Sequence, residues 1–126
     1  MPLVRIDVPA GNSADYLGAV SAVVYRALVE TLNVPEHDNF QVITEHAPGR
    51  LVIDPGYLGI SRTDAAVIIQ VTLNAGRSTV LKQAFYRAVA DGLHEHAGIR
   101  REDVVIGLVE VVKENWSFGN GDAQYA

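Results

Sequence analysis

The sequence predicts an α+β fold made of tandem β-α-β units, with one four-stranded sheet and two helices on one of its faces. Three observations carry this. The chain superposes on itself without a gap at a shift of 65 residues: Gly11 falls on Gly76, Ser13 on Ser78, Val24 on Val89, Leu28 on Leu93, Asp38 on Asp103 and Glu45 on Glu110. Each half opens with a strand pattern that stops at a glycine turn, alternating in Leu3 to Val8 and a β-branched run of little polarity in Val67 to Leu73. Each run is followed by a serine and then by apolar residues at three- and four-residue steps, the pattern of a capped amphipathic helix.

The elements follow in order. Leu3 to Val8 alternates, with Val4, Ile6 and Val8 on one face and Leu3, Arg5 and Asp7 on the other. Pro9-Ala10-Gly11-Asn12 breaks the strand, and Ser13 caps a helix whose stripe is Leu17, Val20, Val24, Leu28 and Leu32. Asn33-Val34-Pro35 ends that helix, and Phe40 to Glu45 reads as the second strand. Val67 to Leu73 is the third strand, Ser78 the next cap, and Leu81, Phe85, Val89 and Leu93 the second helical stripe. Gly98 suits a C-cap, and Val104 to Val112 is the fourth strand. The organisation is one domain, 1–126, with pseudo-repeats at about 2–46 and 67–111.

Two segments lie outside the repeats. The connection 47–66 contains Pro48-Gly49, Asp54-Pro55-Gly56 and Gly59, with Leu51-Val52-Ile53 expected as a short strand. A loop this long in a compact domain is functional or serves a partner contact. The arm 114–126 carries Trp116, Phe118 and Tyr125 around glycines, and reads as a hairpin or arm packed on a neighbour. Leu3 and Ile68 point to the sheet face opposite the helices, so that face needs covering, and oligomerisation would supply the cover.

Composition narrows the function. A hydrophobic content of 48% with 20% charged residues describes a globular chain. No apolar run approaches the roughly 20 residues of a membrane span, and no targeting segment is visible, which points to a soluble, cytoplasmic protein. The absence of cysteine excludes disulfides and thiolate metal sites. A net charge of −5 argues against a nucleic-acid surface but allows a small anionic ligand at a local arginine. His37, His46, His94 and His96 lack metal-ligand spacing, so no metal is expected.

The chain begins Met1-Pro2 directly before a strand. A small second residue permits removal of the initiator methionine, which leaves Pro2 with a free secondary amine held rigidly by that strand. Such an amine is a base, an acid or a nucleophile according to its pKa. Pro2 falls on Val67 in the repeat, so only one such amine exists per chain. Arg77, beside the Ser78 cap, opposes the helix dipole and so needs another reason to be there; carboxylate binding is one.

Pro2, the Val34-Pro35-x-x-Asp38 turn, Arg77 in Ala75-Gly76-Arg77-Ser78 and the tail Asn115-Trp116-Ser117-Phe118-Gly119 resemble the tautomerase superfamily over essentially the whole chain. Within it they are most similar to the malonate semialdehyde decarboxylase group, which has fused units and assembles as a trimer. The resemblance implies catalysis by Pro2, Arg77 and Asp38 on a small carboxylate or keto acid, with no cofactor needed. It also implies a pocket walled by Trp116, Phe118 and Tyr125 in a homotrimer. Asp38 would orient water or hold the amine, although Asp103 at the equivalent position is also consistent with a plain turn residue. The group carries two arginines one residue apart at the second helix start; here the first position is Ala75.

The implied activity is decarboxylation of malonate semialdehyde, with hydration of unsaturated acids as a side activity. The missing arginine favours a broader activity, including tautomerisation of phenylpyruvate-type keto acids. A non-catalytic assembling trimer remains a further alternative. A ferredoxin-like RNA-binding module fits poorly, because Ile68, Gln70 and Thr72 stand where stacking aromatics would be wanted.

Overall fold

Two β-α-β units meet edge to edge. The computed structural model describes residues 1–126, with β1 (Leu3–Pro9), α1 (Ala14–Leu32), β2 (Gln41–His46), β3 (Val67–Asn74), α2 (Thr79–Ala97) and β4 (Val104–Val111). The sheet order is β2-β1-β3-β4. Strands β1 and β2 pair in parallel, as do β3 and β4, while β1 and β3 are antiparallel. In that central pair Arg5 faces Gln70, its own equivalent in the repeat, so the pseudo-two-fold axis passes between them.

The repeat extends to individual hydrogen bonds. Ser13 and Ser78 each accept the amide of the third residue on, Tyr16 at 3.1 Å and Leu81 at 3.3 Å. Asn33 and Gly98 end the helices in left-handed conformations, at φ 57° and 66°. The Ala10 amide reaches the His46 carbonyl at 2.8 Å, and the Ala75 amide reaches the Val111 carbonyl at 2.9 Å. The two halves therefore share their turn chemistry as well as their hydrophobic pattern.

The core lies between the sheet and the helices. Val4, Ile6, Val8, Ile69, Val71 and Leu73 from the sheet meet Val20, Val24, Leu28, Phe85, Val89 and Leu93 from the helices, all essentially inaccessible. Burying each such side chain contributes about 1.5–3 kcal/mol before chain entropy is counted. Gly92 brings the helices close: a Cβ there would sit 2.7 Å from Val23 Cγ1. The opposite sheet face carries half-buried Leu3 and Ile68, with Val42 and Val109 each 40% exposed.

One expectation is corrected. Leu51-Val52-Ile53 is not a strand; none of the four strands pairs with it, and Val52 is 84% exposed. A β-branched run needs a partner backbone, and this chain offers it none. The segment after it is instead organised by Arg62, whose Nη1 donates to the carbonyls of Asp54, Tyr57 and Ile60. Of the two forms open to the C-terminal segment, hairpin or arm, it takes the arm, with no strand after β4. After a short turn at Lys113–Asn115 it folds back on its own chain, tied by Gln124 to the Phe118 amide and the Gly119 carbonyl.

Candidate active site

The register brings the start of β1 beside the end of β3, because Leu3 faces Thr72. Pro2 is buried there. Asp38 reaches the same end of the sheet from the turn after α1, where its amide donates to the Pro35 carbonyl at 3.3 Å. Its side chain is nearly inaccessible, and neither carboxylate oxygen has a hydrogen-bond partner. The amine of Met1 lies 3.8 Å from Asp38 Oδ2.

Burial pushes the Asp38 carboxyl above the usual carboxylate range, and the facing amine only partly offsets it. Burial likewise lowers the amine pKa; Asp38 raises it and Arg77 lowers it further. The charges of Asp38 and Arg77 both act on the amine, Asp38 from 3.8 Å.

Arg77 follows Gly76, whose φ of 126° suits a residue without Cβ. Its Nε donates to the Leu32 carbonyl at 2.9 Å and its Nη1 to the Asn74 carbonyl at 3.0 Å. Leu32 is the last residue of α1, so the cation satisfies the negative end of that helix. This explains why an arginine is tolerated at the start of α2. Its Nη2 makes no hydrogen bond within the chain.

The three tail aromatics come together. Trp116 stacks on Phe118 at 5.0 Å between centroids, and Tyr125 meets Phe118 edge-on at 5.8 Å. Two participants were missed by sequence reasoning. Phe40, read only as the start of a strand, packs on Phe118 at 5.5 Å. Asn74, read only as part of a turn, accepts the Trp116 indole N–H at 2.8 Å. The signal for Phe40 was its place two residues after Asp38; for Asn74, a polar residue closing a β-branched run.

The equivalent end of the repeat is chemically different. Asp103 is fully buried, and its two oxygens accept the amide and hydroxyl of Thr63 at 2.7 and 2.6 Å. Arg77 is replaced there by Asn12, which donates to the Pro9 carbonyl at 2.7 Å. His46 pairs with Asp7 at 2.7 Å at that far end of β1, while His94 and His96 are exposed on α2. No three His, Asp or Glu side chains converge as a metal site would require.

On this duplicated β-α-β fold Asp38 faces the N-terminal amine, and Asn74 at the end of β3 bonds both Arg77 and Trp116. Two family profiles, each described as tautomerase enzyme, match residues 2–60 and 38–119. The chain is 42% identical to Probable tautomerase YusQ of Bacillus subtilis, covering 98% of both chains. It is 35% identical to Probable tautomerase YrdN of the same organism, covering 99% of this chain and 96% of that one. Among solved structures it resembles a malonate semialdehyde decarboxylase with TM-score 0.91 and 31% identity, covering 98% of this chain and 95% of that one. FG41 malonate semialdehyde decarboxylase inhibited by 3-bromopropiolate gives TM-score 0.91 and 37% identity over 98% and 93%. A fused 4-OT protein described as a symmetric trimer shares the fold, with TM-score 0.80 at 22% identity. The chain belongs to the tautomerase superfamily and is an enzyme of that kind.

Proposed function

We propose that, once Met1 is removed, the secondary amine of Pro2 acts on a small keto acid whose carboxylate is held by Arg77, in a reaction like that of malonate semialdehyde decarboxylase. The observation that carries this reading is the unpartnered, buried carboxylate of Asp38 facing the N-terminal amine. Pro2 is itself buried, and burial disfavours a cation, so a free amine there is drawn toward its neutral, nucleophilic form. Neutral Pro2 adds to the aldehyde carbonyl, and loss of water leaves an iminium ion. The carboxylate then leaves as CO2, and its bonding pair becomes the enamine. Protonation at carbon and hydrolysis give acetaldehyde and return the amine. Asp38 holds the ammonium form or orients the water, which also serves hydration of unsaturated acids. A cationic Pro2 polarising the carbonyl is the variant of the same step.

Ala75 favours a second reading, keto-enol tautomerisation. With one guanidinium at the helix start and a ring wall of Trp116, Phe118 and Tyr125, phenylpyruvate-type acids are the fitting substrates. Neutral Pro2 would then carry a proton between the enol oxygen and carbon. In either reading the chain works without a cofactor, in the cytoplasm, as a homotrimer that covers the apolar sheet face around Leu3, Val42, Ile68 and Val109. Turnover of malonate semialdehyde and phenylpyruvate by the wild type, Pro2→Ala and Arg77→Ala is the test. Loss of at least about 100-fold for Pro2→Ala is expected of a covalent or acid–base residue. Turnover unchanged by that substitution would leave the non-catalytic trimer as the better account.

A further inference from the structure

Asn74 is the last residue of β3 and touches two parts of the site through different groups. Its backbone carbonyl accepts Arg77 Nη1 at 3.0 Å, and its side-chain Oδ1 accepts Trp116 Nε1 at 2.8 Å. An indole N–H only donates, so this bond also fixes the amide orientation, oxygen toward Trp116 and Nδ2 away from it.

The repeat separates the ordinary part of this arrangement from the special part. Pro9 is the equivalent of Asn74, and its carbonyl accepts Asn12 Nδ2 at 2.7 Å. The backbone contact is thus a feature of both turns. Proline has no side-chain acceptor, so the side-chain contact belongs only to the end that holds Pro2, Asp38 and Arg77. Within that end, Asn74 is the one residue bonded both to the guanidinium and to the aromatic wall.

We propose that Asn74 is a positioning residue that fixes Trp116, and with it the Trp116–Phe118 stack, in register with the Arg77 guanidinium. It thereby sets the fit of a monocarboxylate whose charged end lies on Arg77 and whose flat, apolar remainder lies against the rings. This rests on the reading of Arg77 as the carboxylate site.

Trp116 is the only tryptophan of the chain, so its emission and near-UV circular dichroism report the contact without any substrate. Asn74→Ala keeps the backbone carbonyl and removes Oδ1. The emission shifts to the red and the near-UV band weakens. KM for phenylpyruvate rises about fivefold to tenfold, the scale of one lost hydrogen bond, while kcat stays within about twofold. Asn74→Asp keeps an acceptor for the indole and restores the spectrum. Trp116→Phe removes the donor, and adding Asn74→Ala to it raises KM no further. An unchanged Trp116 spectrum in Asn74→Ala, or full additivity of the two substitutions in KM, overturns the proposal. If the wild type turns over no keto acid, the carboxylate reading fails. The spectra then decide: a shift rescued by Asp supports the coupling, and no shift rejects it.

Discussion

Thr63 holds both oxygens of Asp103, its amide N–H 2.7 Å from Oδ1 and its hydroxyl 2.6 Å from Oδ2. Asp38 occupies the same place in the first half without either bond. The residues that precede β3 fill the pocket in the second half; in the first half the N-terminal amine faces it, at 3.8 Å. One aspartate is thereby a structural residue and the other is left with unused acceptors beside an amine. A buried group without partners costs stability.

Substitution should separate the two roles. Asp103→Ala removes a satisfied buried carboxylate and strands the Thr63 donors, so unfolding free energy falls by about 2–4 kcal/mol. Asp38→Ala removes an unsatisfied one, so stability is unchanged or rises by up to about 1 kcal/mol, while turnover falls. Urea denaturation and steady-state kinetics on both variants check this. Equal destabilisation by the two would show that Asp38 is a turn residue after all.

The two titrating groups act on stability in opposite windows. The folded-state pKa of Asp38 is raised, so its contribution is present below the usual carboxylate value of about 3.9 and is lost as pH rises through the folded value. The folded-state pKa of the Met1 amine is lowered, so its contribution is present above the usual value of about 8 and is lost as pH falls through the folded value. Asp38→Asn should therefore gain stability relative to the wild type as pH rises above about 4. Denaturation midpoints for the Met1-retaining protein at several pH values measure this, and parallel curves for wild type and variant would contradict it.

Helix packing gives a test independent of function. Gly92→Ala places a methyl 2.7 Å from Val23 Cγ1, and overpacking of this kind costs about 1–3 kcal/mol. Val23→Ala in the same chain should return most of that loss. The thermal midpoints of the single and double variants give the answer; a neutral Gly92→Ala would mean the helices can part freely.

Most of the fold was legible in the sequence because its information is local and repeated. The Leu28/Leu93 stripes, the Ser13 and Ser78 caps and the alternation of Val4, Ile6 and Val8 each name a face or an end, and the structure uses them so. Leu51-Val52-Ile53 misled because β-branching states a preference without supplying a partner. Of the candidate site, the sequence singled out Pro2, Asp38 and Arg77, each by the chemistry of one residue at one place in the repeat. The site was not legible where a contact spans distant segments. Phe40 and Asn74 join Phe118 and Trp116 only after the tail folds back, and no local period records that. For Arg77 the sequence suggested an anion, whereas the bond the structure shows, to the Leu32 carbonyl, depends on how the two helices meet.

The central claim is that a free Pro2 amine works beside an arginine that holds a carboxylate. Intact mass and peptide mapping after incubation with 3-bromopropiolate, which inhibits a related decarboxylase, test it most directly. The account predicts a chain lacking Met1 that gains one adduct, located on Pro2, and that Arg77→Ala slows this labelling. Active protein that retains Met1, or an adduct located away from Pro2, would contradict it.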